Sequence, residues 1–263
     1  MTTGRPISLA GCRVLVTRPV AQAVHFCELI EKAGGVAIAF PVIDIVPVSH
    51  IRHTESITDY DLAIFISVNA VEAVMALINE RNMLPEKIAA IGQATASALE
   101  KHGCQIDIQA QAPFNSEALL ATAAMNHVAG KKIIIFRGEG GREYLAETLR
   151  ARGAIVEYRE VYKRELPDAD LEFFRTQLQQ HKIDIITITS IQGLQNLYAL
   201  AGAEVVSLLE NIPFVVMSKR ISQEAEKMAI HSEIEIAGNA SDAAMLAAIK
   251  RLEEKLHQGA SDE

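Results

Sequence analysis

No apolar run in this 263-residue chain reaches the roughly 20 residues that a membrane helix needs. The opening, Met1 to Pro6, carries none of the apolar stretch of a secretory signal, so a cytoplasmic location without membrane contact is expected. Cysteine is scarce. Cys12, Cys27 and Cys104 are far apart, odd in number and free of C-x-x-C spacing, which argues against a disulfide framework and against a zinc site and reads as buried thiols. Basic clusters are missing too, and the formal charge of −8 leaves no footprint for nucleic acid. Nor is there a G-x-S-x-G, an H-E-x-x-H or a paired-carboxylate motif. His50 and His53 form the only close histidine pair; with no acidic or sulfur ligand at suitable spacing they read as solvated, and no metal is expected. These absences leave a small molecule as the expected partner. If it is anionic, local donors such as helix N-termini must bind it, since the overall field is repulsive.

What is present is a repeating unit: a short apolar run, a polar turn, then a helical pattern. Val14-Leu15-Val16 precedes Thr17-Arg18-Pro19 and a helix ending near Gly34-Gly35. Leu62 to Ile66 precedes Ser67-Val68-Asn69, and Ile88 to Ile91 precedes Gly92-Gln93-Ala94-Thr95. A helix capped by Asn115 or Ser116, with Glu117 in its first turn, closes the group. The second half repeats the order. Ile133 to Phe136 with Arg137-Gly138 answers Val14 to Arg18, and Ile185 to Ile188 with Thr189-Ser190-Ile191 answers Ile66-Ser67-Val68. Phe214 to Met217 with Ser218-Lys219-Arg220 answers Ile91-Gly92, and Asn239 to Asp242 answers Asn115 to Glu117. Units in one order, displaced by roughly 120 residues, are what duplication of an α/β domain leaves.

After the first unit of each half comes a segment that alternates like a strand: Phe40 to Pro47 in one, Val156 to Glu165 in the other. Prolines Pro41, Pro47 and Pro167 mark their ends. Pairing of the two as a connecting ladder would send the chain out of a first domain, through a second, and back. The residues alone leave that arrangement and two consecutive domains both open.

In open parallel sheets, ligands sit beyond the carboxyl ends of the strands. The turns there hold Thr17, Ser67, Asn69, Thr95, Thr189, Ser190, Ser218 and Ser222. Any one of these is accounted for as a helix cap. Together with Arg18, Arg137, Arg142 and Arg220 they form a rim of hydroxyls, backbone donors and cations suited to carboxylates or phosphates. The run Arg137-Gly138-Glu139-Gly140-Gly141-Arg142 lacks the Gly-Lys-Ser/Thr ending of a nucleotide loop and the glycine spacing of a dinucleotide fingerprint. It reads either as a tight turn with an anion contact or as a purely structural turn. Tyr162 lies in the second connecting strand, as a cleft-facing phenol able to donate a proton or as a half-buried ladder tyrosine.

The chain resembles the bacterial uroporphyrinogen III synthase family. The resemblance spans nearly the whole sequence and rests on the order of several strings. They are Val14 to Pro19 with Gln22-Ala23, Pro41 to Ile45, Phe65 to Val71, Ile91 to Ala96, Arg137 to Arg142 and Val161-Tyr162-Lys163-Arg164. Ser218-Lys219-Arg220-Ile221-Ser222 departs from the Gly-Pro-Thr-like turn of some relatives, which leaves contacts there open. The resemblance implies an α/β fold of two flavodoxin-like or Rossmann-like parallel-sheet domains joined by a two-stranded β-ladder, the first domain interrupted by the second. On that basis residues 1–39 plus 167–258 form the first domain, 50–155 the second, 40–49 and 156–166 the linker strands, and 259–263 a tail. It also implies a lyase that works as a cytoplasmic monomer without a cofactor, closing hydroxymethylbilane with inversion of ring D to uroporphyrinogen III for haem and related tetrapyrroles. Tyr162 is then the candidate for assisting departure of the hydroxyl. Thr17, Arg18, Ser67, Asn69, Thr95, Arg137, Gly138, Ser190 and Ser218 are expected on the substrate, with Arg18 and Arg137 as carboxylate clamps on opposite walls of one cleft. The competing classes are a non-enzymatic two-domain binder or sensor for a carboxylated molecule and a nucleotide-dependent enzyme, the latter opposed by the poor glycine fingerprints.

Overall fold

The computed structural model describes residues 8–48, 56–78, 83–203, 205–228, 230–239 and 241–259. His50, His53, the expected boundary at 49/50 and tail residues 260–263 lie outside them. The chain divides into two compact units, Met1–Asp44 with Glu165–Glu263, and Ile45–Arg164.

Unit 1 holds a parallel sheet of β1 (Arg13–Val16), β2 (Val36–Ala39), β9 (Ile185–Ile188), β10 (Phe214–Val216) and β11 (Ile234–Ile236). The order is β11-β10-β9-β1-β2. Numbered within the unit and read from the other edge, that is 2-1-3-4-5, the flavodoxin-like doubly wound order. Central strands β1, β9 and β10 are buried nearly throughout, because helices on both faces make parallel strands read as continuous apolar runs, not alternating ones. One face packs on α1 (Val20–Lys32) and α10 (Asp242–Gly259) through Phe26, Ile30, Met245, Ile249 and Leu252.

Unit 2 is built the same way around β4 (Leu62–Phe65), β5 (Lys87–Ala90), β6 (Ile108–Gln109), β7 (Lys132–Gly138) and β8 (Ile155–Glu165), with β3 (Asp44–Pro47) at its edge. Its order is β3-β8-β7-β4-β5-β6. With β7-β8 taken in place of β1-β2, the five parallel strands again run 2-1-3-4-5. Corresponding strands are therefore β1 and β7, β9 and β4, β10 and β5, β11 and β6. Each sequence half gives its first βαβ unit to one sheet and its remaining strands to the other, which is why the repeat is offset from the units.

The two segments expected to pair as a connecting ladder lie side by side as β3 and β8, and both are part of the second sheet. Ile155 to Arg159 follow β7 residue for residue in parallel register, and β3 is hydrogen-bonded on the outer side of β8. An 11-residue strand is long enough to serve as a sheet strand and then carry the chain onward.

One irregularity in β8 decides which face Tyr162 occupies. Arg137 pairs with Glu160 but Gly138 pairs with Tyr162, so Val161 is the extra residue of a bulge. Strict alternation would keep Tyr162 on the face of Val156 and Tyr158, against β7 residues Ile133 and Ile135. The bulge turns it to the other face, among Phe65, Ala70, Val71 and Phe136.

Candidate functional site

At the carboxyl ends of the unit 2 strands, the first turn of each helix begins where a strand ends. α2 (Val68–Met75) is capped by Ser67, whose Oγ accepts from the Ala70 N–H at 3.1 Å. α3 (Gln93–Lys101) starts on Gly92, which has no side chain to cap it and whose missing Cβ leaves 3.1 Å to Phe114. Asn69 lies half-buried in the first turn of α2 and Thr95 buried in that of α3. Both helices keep backbone donors of the first turn without an intrahelical acceptor, a general anion-binding feature.

Tyr162 joins this group from β8. It is 1% exposed, its ring lies against Gly138, and its Oη is 3.1 Å from Ser67 Oγ. A Cβ on Gly138 would sit 2.6 Å from that ring, so only glycine fits there. Arg164 Nη2 donates to the same Oη at 3.0 Å. The structure thus brings Ser67, Gly138 and Tyr162 together and adds Arg164, to which the sequence assigns no role. The signal for it is the i, i+2 spacing along a strand, which puts both side chains on one face.

Arg137 is not a free clamp. Its Nη1 donates to Glu143 at 2.9 Å, its Nη2 to Glu160 at 3.0 Å, and its Cζ stands 3.7 Å over the Tyr158 ring. Burial disfavours its charge, but the two carboxylates outweigh this and hold its pKa above the ordinary value. The Gly140 N–H also donates to Glu160, at 3.1 Å. The glycine-rich turn does hold an anion, and the anion is the protein's own Glu160.

In unit 1, Ser190 caps α7 (Ile191–Ala201) by accepting from the Gly193 N–H at 2.9 Å. Ser218 precedes α9 (Lys219–Lys227) without a side-chain cap bond. Thr17, expected on the substrate, is 3% exposed and its Oγ1 donates to the Thr187 carbonyl at 2.6 Å, fastening β1 to β9. Arg18 is likewise turned inward, 6% exposed, paired with Asp242 and lying 4.3 Å over the Phe26 ring. Its Nε and Nη2 are buried without a partner among the described residues. Both arginines expected as clamps are thus charge-matched inside their own units. The matching acids, Asp242, Glu143 and Glu160, were not legible in the sequence, because they come together only through sheet register and helix placement.

Among the described residues no group of His, Cys, Asp and Glu is placed to hold a metal ion, and no helix is long and apolar enough to cross a membrane. Of the cysteines only Cys104 is fully buried; Cys12 and Cys27 are half-buried. Burial first, then Asp184 and Glu253, pushes the Cys12 thiol up to about 12, so it stays protonated near neutral pH.

The model of the uroporphyrinogen-III synthase HemD family matches residues 25–247. The uroporphyrinogen-III synthase of Escherichia coli K12 is 29% identical over 90% of this chain and 99% of its own length. That of Salmonella typhimurium is 30% identical with the same coverage. Among solved structures, uroporphyrinogen-III synthetase from Helicobacter pylori superposes with a TM-score of 0.62 at 15% identity, covering 92% of this chain and 99% of that one. A mutant uroporphyrinogen III synthase from the extremely thermophilic bacterium Thermus thermophilus gives 0.58 at 17% identity, covering 93% and 100%; at such identities these two support the fold alone. With a family match across most of its length and both units built on the doubly wound order, the chain belongs to the uroporphyrinogen-III synthase family.

Proposed function

We propose that this chain is a cyclising lyase that converts hydroxymethylbilane to uroporphyrinogen III. The observation that carries this reading is the family match over residues 25–247. The geometry supports it in a specific way: both units offer capped helix starts and backbone donors at the carboxyl ends of their strands, suited to the acetate and propionate carboxylates of such a substrate.

The chemistry asks little of the protein beyond position. The terminal carbon–oxygen bond breaks, the hydroxyl leaves as water, and an electron-poor azafulvene remains on ring A. The substituted carbon of ring D attacks it to give a spiro intermediate, and fragmentation and reclosure leave ring D inverted. Because the bilane also closes by itself without inversion, the protein must hold one folded conformer and exclude the other. In this reading Ser67, Asn69, Thr95, Ser190 and Ser218 and the backbone at Gly138 contact the substrate, and Tyr162 acts on the departing hydroxyl from behind Ser67. Arg18, Arg137 and Thr17 hold those loops in shape. The enzyme works as a cytoplasmic monomer; a sedimentation profile of a dimer would count against the last point.

The test is to supply freshly generated hydroxymethylbilane and separate the products. Uroporphyrinogen III is the expected product. Isomer I alone, at the spontaneous rate, would leave only the binding-protein reading.

A further inference from the structure

One hydrogen bond to Tyr162 has a fixed direction. A guanidinium donates and cannot accept, so at 3.0 Å Arg164 Nη2 occupies a lone pair of the Tyr162 oxygen. The phenol retains one proton, which Ser67 Oγ at 3.1 Å is placed to accept. Ser67 Oγ already accepts from the Ala70 N–H at 3.1 Å. With the phenol as its second donor both its lone pairs are filled, and its own proton is left unused by these contacts. The residue that contributes this last proton is half-buried at the start of α2, whereas Tyr162 is 1% exposed and Arg164 lies exposed two residues further along β8.

We propose that Arg164 is a positioning residue that fixes the order Arg164 to Tyr162 to Ser67, and that Ser67, not the buried phenol, is the group that donates to the departing hydroxyl. The inference rests on the lyase reading above. When the terminal carbon–oxygen bond breaks, its electron pair leaves with oxygen, which takes the Ser67 proton and becomes water. Ser67 takes the proton of Tyr162, and the resulting phenolate is stabilised by the adjacent guanidinium. The pyrrole carbon that makes the final ring bond loses a hydrogen as a proton, and this restores the phenol. Without Arg164 the phenol oxygen is free to accept from Ser67, the chain reverses, and no proton faces the substrate. Linked hydrogen bonds of this kind act as a unit, so their removal is non-additive.

The experiment measures kcat, KM and product isomer with fresh hydroxymethylbilane for the unaltered chain, Arg164→Met, Arg164→Lys, Tyr162→Phe and the double variant Arg164→Met with Tyr162→Phe. Circular dichroism serves as the folding control, and the exposed position of Arg164 favours intact variants. Arg164→Met is expected to lower kcat about 10- to 100-fold with KM within about twofold. Arg164→Lys, which can still donate, should recover most of that loss, and in the Tyr162→Phe background Arg164→Met should add nothing. Unchanged kcat, a change in KM alone, no recovery by lysine, or losses that multiply in the double variant would each overturn the proposal. Failure of the unaltered chain to make isomer III would instead remove the lyase reading.

Discussion

The two units place the same residue types at corresponding loops and use them differently. Ser67 and Ser190 follow corresponding strands and cap their helices in the same way, each accepting from the backbone N–H three residues on. Ser67 continues into the Tyr162 and Arg164 network. Beside Ser190 the strand corresponding to β8 is β2, and the chain leaves it at Phe40, whose ring stacks on Phe174 at 4.2 Å. The arginines diverge in the other direction. Arg137 is matched by two carboxylates, one of them also held by the turn, while among the described residues Arg18 has Asp242 alone and two buried nitrogens, Nε and Nη2, without partners. The doubly wound frame supplies caps and helix starts in both units, and under the proposed mechanism the side chains behind them set which edge moves a proton. On this account unit 2 carries the proton chemistry and unit 1 contributes donors.

The largest effect expected from breaking this contrast lies in unit 1. Asp242→Ala leaves the Arg18 charge buried and unpaired, which should cost about 3–5 kcal/mol in a denaturant titration; removing Glu160 should cost less, because Glu143 and the Tyr158 ring remain on Arg137. In unit 2, Tyr162→Phe keeps the buried ring and removes the hydroxyl, so turnover should fall about ten- to a thousandfold while the melting transition moves little. Unchanged turnover in the folded variant would take the phenol out of the mechanism. Gly138→Ala presses a methyl into that ring and should cost about 1–3 kcal/mol, with a loss of turnover in the same direction as Tyr162→Phe.

The smallest effect is on pH dependence. Burial works against the Asp184 charge, but the side-chain and backbone donors of Arg13 outweigh it and hold its pKa below the ordinary aspartate value. A lowered carboxylate contributes stability that is present above the unfolded value and lost as pH falls through the folded one. Asp184→Asn should therefore flatten the stability profile below about pH 4 relative to its own neutral plateau. A slope that persists there would point to other carboxylates, such as Glu235, held low by Lys255 and Arg251 against the cost of burial.

Strand and turn positions were legible because fully buried parallel strands appear as apolar runs such as Ile133 to Phe136, followed by a capping residue. The order of corresponding strands was legible through the repeat. The crossing of repeat halves between sheets was not, since pairing is a long-range property. Within the site, Ser67, Ser190 and Asn115 announced themselves as caps. The face of Tyr162 did not, because alternation along β8 points it the wrong way and only the bulge at Val161 reverses it. Arg18 and Arg137 read as free cations in one dimension, which does not show that Asp242, Glu143 and Glu160 lie against them.

The most direct measurement is the product isomer ratio from fresh hydroxymethylbilane for the unaltered chain, Ser67→Ala and Ser190→Ala side by side. Loss of the cap should cost each variant about 1 kcal/mol of stability, so folding effects are matched. The account predicts uroporphyrinogen III from the unaltered chain, a strong shift toward isomer I for Ser67→Ala, and a smaller shift for Ser190→Ala. Isomer I alone from the unaltered chain, or equal losses in the two variants, would contradict it.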